Sequence, residues 1–325
     1  MKLPFLSALF TVTGQTRIPA GFRAPTNDHF CIAQQISGDS GKKFENKHQF
    51  TYCYAQQTKA GALPRLPQCR HAKRLMLVRL EKIRGWTLFG DGMLKKLVLF
   101  DIDGTLLTMN AINRTVLVDA LREVYGTAGS AATCNFAGKM DSRIIYETMQ
   151  SAGLTDAEIA NKFELAKTTY IELFRTHAKL TDVTLIEGVR ELLDVLSTHS
   201  ELFLGLLTGN FEASGRHKLL LPDLNHYFTF GAFADDGCYR NDLPPVAVEK
   251  AYQLTGVQFS EQDIIIIGDT EHDIACARTV NAKSIAVATG TYPTEELRKH
   301  QPHVLLENLS QTDAVLREIL HSSIN

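Results

Sequence analysis

Four polar clusters in this chain each follow a short apolar run, and their residue types suit the handling of a phosphoryl group. Asp101-Ile102-Asp103-Gly104-Thr105 places two carboxylates two residues apart after Leu97-Val98-Leu99-Phe100. Thr208-Gly209-Asn210 follows the apolar run 202–207, the basic residue Arg240 follows the strand-like stretch 228–233, and Gly268-Asp269-Thr270-Glu271-His272-Asp273 follows 264–267. A carboxylate nucleophile divides phosphoryl transfer into two displacements, a second carboxyl protonates the leaving oxygen, and cations offset the charge on the phosphoryl oxygens. Mg²⁺ takes hard oxygen ligands and keeps several waters, so two or three carboxylates meeting from separate strand ends suffice to hold it. Hydroxyl and backbone N–H groups at loop-to-helix junctions supply further phosphate contacts. A single Asp-x-Asp pair is equally at home in a turn or a helix cap; four such clusters at strand ends argue against that plain reading.

The elements that must position these clusters are legible in the apolar pattern. The runs 97–100, 202–207, 264–267 and 284–288 are continuous, as expected of parallel strands buried on both faces. Between strands, Val189, Leu192, Leu193 and Leu196 fall on one helical stripe. Strands alternating with helices predict an α/β fold, a doubly wound parallel-sheet, Rossmann-like core whose ligands sit beyond the carboxyl ends of the strands. From 110 to 184 the alternation stops and only helices are expected: Val116, Ala120, Leu121 and Val124 form one stripe, Ile159, Phe163, Ala166 and Tyr170 another, and Thr155 with Glu158 reads as a capping box. The predicted division is a catalytic core over 93–109 and 185–325, with an inserted helical cap over 110–184.

In this order, the four clusters resemble the motifs of the haloacid dehalogenase-like hydrolase superfamily, and the likeness runs from 95 to about 320. Asp101-Ile102-Asp103-Gly104-Thr105-Leu106 and Gly268-Asp269-Thr270 with Asp273 carry it. The resemblance implies a phosphatase acting on a small phosphorylated metabolite, with Asp101 as nucleophile and Asp103 as general acid and base. It implies Mg²⁺ held by the Asp101 carboxylate, the Asp103 backbone carbonyl and Asp269, with Asp273 as a ligand or close support. Thr208 and Asn210 would contact the phosphoryl oxygens. The insertion resembles the type 1 cap of phosphoglycolate phosphatases and beta-phosphoglucomutases, so a phosphomutase, or an idle binding protein of the same fold, stands as the alternative outcome. The third motif departs from the family's Lys-Pro: Arg240 stands there, with Lys250 as the other candidate, and Arg keeps the charge and grips phosphate in two places. Asp103 has no use in dehalogenation, and a P-type ATPase would need membrane helices.

Within the insertion, the Phe136-Ala137-Gly138-Lys139-Met140-Asp141 stretch interrupts the helical pattern and offers Lys139 to a substrate; Lys139 and Arg143 read equally well as solvated charges. His272 reads as a polar neighbour on its loop, and His217 and Lys218 as surface residues of the helix after the second cluster.

Composition bounds the rest. The 325 residues carry a net charge of -2, but the distribution is uneven, with 14 Lys/Arg against 5 Asp/Glu up to Asp91 and 20 against 31 beyond. An acidic body gives no expectation of nucleic-acid binding, and no run of about 18 apolar residues offers a membrane span. Cys31, Cys53, Cys69, Cys134, Cys238 and Cys276 form no CxxC pair, which fits free thiols and a cytoplasmic setting. Residues 1–92 show no sustained periodicity beyond a short basic helix expected over 73–83. Lys2 before an apolar stretch hints at a signal and the basic bias at a transit peptide. The preferred reading is an extension outside the functional fold, which would start near Met93. Oligomeric state is not readable from the residues.

Overall fold

The computed structural model describes residues 95–321. The expectations for 1–92, including the helix over 73–83, lie outside the described residues. Six parallel strands form one sheet in the order β5-β4-β1-β6-β7-β8: β1 (Lys96–Phe100), β4 (Leu202–Leu207), β5 (Gly231–Ala232), β6 (Ile264–Gly268), β7 (Lys283–Val287) and β8 (Val304–Leu306). Two further strands, β2 (Leu107–Met109) and β3 (Val183–Leu185), pair antiparallel as a separate ribbon, with Leu107 opposite Leu185.

Continuous apolar strands become intelligible once both faces are covered. Leu97 and Leu99 of β1 pack with Ala247, Ala251, Cys276 and Ala277, which lie on α6 (Leu243–Thr255) and α7 (Glu271–Thr279). Val98 and Phe100 point the other way, into Leu192, Leu193 and Leu196 of α4 (Val189–Ser197) and Val315 and Ile319 of α9 (Thr312–Leu320). Period-two alternation thus divides one apolar strand between two cores. The chain winds outward from β1 through β4 to β5, then returns to place β6 on the other side of β1. The order reverses between β1 and β6, which is where a doubly wound sheet opens a crevice at its carboxyl edge.

Two local expectations need correction. The strand-like stretch 228–233 pairs only at Gly231 and Ala232, opposite Leu206 and Leu207. Residues 225–227 form a 3₁₀ turn, and the Phe230 ring lies over Gly205, where a Cβ would collide with it. The stretch 110–184 is not purely helical, since 183–185 is strand β3. Between the ribbon strands run α1 (Ile112–Tyr125), α2 (Asp141–Ser151) and α3 (Asp156–His177). The α3 N-terminus carries the reciprocal Thr155–Glu158 capping box, which satisfies backbone donors that a helix start otherwise leaves open. The remaining helices are α5 (Glu212–Leu220) and α8 (Thr294–Lys299). No described helix is long and apolar enough to cross a membrane.

Candidate active site

The crevice between β1 and β6 collects the acids. Asp101 leaves β1 with its amide donating to Ile267 O at 3.0 Å, and Asp269 follows β6. Asp101, Asp269 and Asp273 are all buried, and each offers a carboxylate oxygen within 4.8 Å of the others. Arg240 is buried among them: its Nη2 donates to Asp273 Oδ1 at 2.6 Å and lies 3.1 Å from Asp101 Oδ1. The second approach is off-axis, so Asp101 Oδ1 has charge beside it but no hydrogen bond. Asp273 Oδ2 accepts from the Thr270 amide at 3.1 Å and its hydroxyl at 2.7 Å, which locks that carboxylate at the start of α7. Asp269 occupies space that only glycine leaves open. Gly104, at φ +83°, and Gly290 both have the position of a missing Cβ overlapping its carboxylate. Thr105 Oγ1 donates to Asp269 Oδ1 at 3.3 Å.

Three carboxylates against one guanidinium leave a surplus of negative charge away from water. Burial raises the Asp101 carboxyl well above its ordinary range, Arg240 pulls it back, and Asp273 and Asp103 push it up again. Burial also raises Asp269, reinforced by the charges of Asp273 and Asp101. Arg240 is stripped of solvent, but the two carboxylates on it hold its proton more firmly than usual. A buried set of hard oxygens, one of them without a hydrogen bond and all repelling one another, has the chemistry of a divalent-cation site. Asp101, Asp269 and Asp273 are the residues that could hold such an ion.

Two residues beyond Asp101 the chemistry changes. Asp103 turns to a different partner set: Lys218 Nζ donates to its Oδ1 and Oδ2 at 2.8 and 2.7 Å, and Asn210 Nδ2 to Oδ2 at 2.7 Å. Lys218 also donates to Asn210 Oδ1 at 2.6 Å, and Asn210 Nδ2 reaches the buried Thr208 hydroxyl at 2.8 Å. Lys218, expected at the surface, is only 2% exposed. The signal that would have found it is the spacing of Phe211, Ser214, Gly215, Lys218 and Leu219, the inward stripe at the start of and along α5. Small side chains one turn earlier leave room for a lysine to reach inward.

The structure separates the other candidates. Lys250, the second candidate for the third motif, donates to Asp236 Oδ2 at 2.7 Å and Gly231 O at 3.0 Å, whereas Arg240 is the base among the acids. Lys139 borders the cavity and pairs with Glu147 at 2.6 Å. His217 packs edge-on against Phe174 of α3, and burial lowers its pKa. His272 remains partly exposed, its Nε2 3.7 Å from Glu271. Asp141, given no role in the sequence analysis, opens α2 with its carboxylate accepting from the Phe211 amide at 2.8 Å. Its carboxyl is densely enclosed by protein and that burial raises its pKa to about 6, with Lys218 opposing the rise. Above the acids lies a cavity of about 390 Å³, with Asp101, Asp103 and Asp269 on its floor and Asn113, Arg114 and Lys139 from the helical insertion on its roof.

A parallel sheet carrying acids at its switch point defines a doubly wound α/β architecture with a polar site at its carboxyl edge. The chain belongs to the haloacid dehalogenase-like hydrolase family, whose model matches residues 98–287. Among curated relatives, it is 24% identical over 223 residues to a pyrophosphatase PpaX of Bacillus pumilus, covering 67% of this chain and 95% of that protein. It is 25% identical over 232 residues to a phosphoglycolate phosphatase of Pseudomonas fluorescens, covering 67% of this chain and 79% of that one. Among solved structures, a predicted phosphatase from Clostridium acetobutylicum superposes with a TM-score of 0.53 at 20% identity, over 69% of this chain and 99% of the other. At that identity the likeness speaks for the fold.

Proposed function

We propose that the protein is a Mg²⁺-dependent phosphatase that cleaves a small phosphate monoester through an aspartyl phosphate on Asp101. The observation that carries this reading is the trio of buried carboxylates, Asp101, Asp269 and Asp273, meeting within 4.8 Å beside a cavity between the sheet and the insertion. In this reading Asp101, Asp269 and the Asp103 backbone carbonyl would hold Mg²⁺, with Asp273 in support, and the bound ion would supply positive charge to offset that of the phosphoryl oxygens. Asp101 attacks phosphorus; the P–O bond to the leaving alcohol breaks, and Asp103 in its protonated form gives that oxygen its proton. Asp103, now a carboxylate, takes a proton from water as the water oxygen attacks the phosphorus. The Asp101 carboxylate and inorganic phosphate are released. Thr208 and Asn210 hold the phosphoryl oxygens, and Arg240 keeps Asp101 and Asp273 in place by pairing with both.

The proposed division of labour gives the chemistry to 93–109 and 185–325 and the choice of leaving group to the cap over 110–184, where Lys139 is the proposed substrate contact. A cavity of about 390 Å³ favours a small leaving group, and the relatives' names direct attention to phosphoglycolate and pyrophosphate. The test is phosphate release from a panel holding 2-phosphoglycolate, pyrophosphate, β-glucose 1-phosphate and p-nitrophenyl phosphate, each with Mg²⁺. Asp101→Asn is expected to lower turnover at least ~10³-fold while retaining the fold, because the nucleophile has no substitute. Undiminished phosphate release by that variant would eliminate the mechanism, and isomerisation of the sugar phosphate without net hydrolysis would convert the assignment to a mutase.

A further inference from the structure

The helical insertion meets the sheet domain closely at residues 138–141. Residues 138–141 lie between the second and fourth polar loops. On one side, the missing Cβ of Gly138, at φ +66°, would overlap the His272 ring and come within 2.9 Å of Thr270 Oγ1. On the other, the Lys139 carbonyl lies directly against Gly209, so close that any side chain at 209 would collide with it. That same missing Cβ would stand 2.9 Å from Arg240 Nη1.

The contact then closes with a two-point hydrogen-bond clamp. The Asp141 amide donates to Gly209 O at 2.7 Å, and the Asp141 carboxylate accepts from the Phe211 amide at 2.8 Å. Ser214 Oγ stands at the outer limit of the same carboxylate oxygen, 3.5 Å away. Gly209 and Phe211 are therefore both gripped from the insertion, and Asn210 lies between the two grips. Asn210 is also the residue that links Thr208, Asp103 and Lys218. A side-chain acceptor that satisfies a loop amide removes one of the few ways the loop has to rotate. Phe211 is seated from the other side by rings of α3, Phe163 at 6.2 Å and Tyr170 at 6.4 Å between centroids.

We propose that Asp141 is a positioning residue: by clamping Gly209 and Phe211 from the insertion, it fixes Asn210 and Thr208 in the geometry that meets the phosphoryl group. The role does not require Asp141 to touch substrate. It makes the second loop competent only when the insertion is docked. This rests on the proposed phosphatase chemistry for its kinetic consequence and on nothing beyond geometry for its structural one.

The experiment therefore has two arms. In the first, hydrogen exchange of the Phe211 amide is followed in the full chain without substrate. Asp141→Ala is expected to raise its exchange at least ~10-fold, leaving the β4 amides unchanged, while Asp141→Asn, which keeps an acceptor oxygen, retains the protection. In the second, p-nitrophenyl phosphate with Mg²⁺ is the probe. Asp141→Ala is expected to lower kcat by ~10–10²-fold, as for a misplaced contact group, with Asp141→Asn recovering most of it. Gly209→Ala is expected to lower kcat as well, and trimming the side chain with Lys139→Ala does not rescue it because the obstruction is a backbone carbonyl. Unchanged Phe211 exchange in Asp141→Ala, or Asn and Ala variants with equal kcat, overturns the proposal. Should Asp141→Ala not fold, Asp141→Glu takes its place, with the acceptor displaced by one methylene and the same outcomes read. The exchange arm needs no turnover, so failure of the phosphatase assignment and failure of the clamp are read separately.

Discussion

Asp101 and Asp103 are separated by one isoleucine, yet they stand in opposite electrostatic surroundings. Asp101 faces two more carboxylates and a single guanidinium in a buried pocket. Asp103, with 39% of its side chain exposed, is held by an ammonium and an amide. The first region has more negative charge than its own side chains can neutralise and invites a cation. The second is close to balanced without help, because an ammonium and an amide already face its carboxylate. The lesson is that a two-residue spacing at a strand end assigns different tasks to like side chains by pointing them at different neighbours.

The largest effect that would break this comparison is on the first region. Removing divalent cation with EDTA is expected to abolish phosphate release and lower Tm, and Mg²⁺ to restore both. Saturation at about 100 times Kd corresponds to ~2.7 kcal/mol of added stability. A Tm indifferent to chelation and to Mg²⁺ would mean that the acid pocket is neutralised by some other route. Next is Lys218→Met, which deprives Asp103 of its ammonium. Turnover is expected to fall ~10²–10⁴-fold, the range in which proton transfer contributes, with melting in Mg²⁺ far less affected than by loss of an Asp101-side acid. Equal kcat in the variant and the parent protein would place Lys218 outside the chemistry.

The smallest effect is on pH dependence. The Asp141 carboxyl keeps its proton to about pH 6 in the folded chain, against an ordinary value of 3.8. Between about 4 and 6 folding therefore takes up a proton, so this group's contribution to stability falls as pH rises through that window. Asp141→Asn is expected to remove that part of the slope, at most ~1.4 kcal/mol per pH unit. Chemical denaturation across pH 4–7 compares the two slopes, and parallel curves would show that the carboxyl titrates alike in both states.

Much of the scaffold was legible because burial on two faces writes a simple pattern. Leu97 to Phe100, 264–267 and the α4 stripe need no tertiary knowledge to be recognised, and the acids follow the strands that carry them. β5 was overread because aromatic residues at 228, 230 and 233 mimic strand composition while packing over neighbours instead of pairing. β8 was passed over because three residues after Pro302-His303 are too few to show alternation. Lys218 escaped because charge was weighed before position: its place on the inward stripe of α5 outranked its residue type. Asp141 had no comparable signal, since an acid opening a helix looks like an ordinary partner for the helix dipole. Its contact with Phe211 spans 70 residues of sequence, and only the folded chain brings the two together.

The β2–β3 ribbon has a consequence for how such a molecule can change over generations. The polypeptide departs from the sheet domain at Leu107 and rejoins it at the facing residue, Leu185, so the stem of the insertion is closed whatever hangs from it. A roof mounted on so narrow a neck is an exchangeable cassette. Its helices can be lengthened, trimmed or rebuilt around a new leaving group while the strand order and the acids below keep their places.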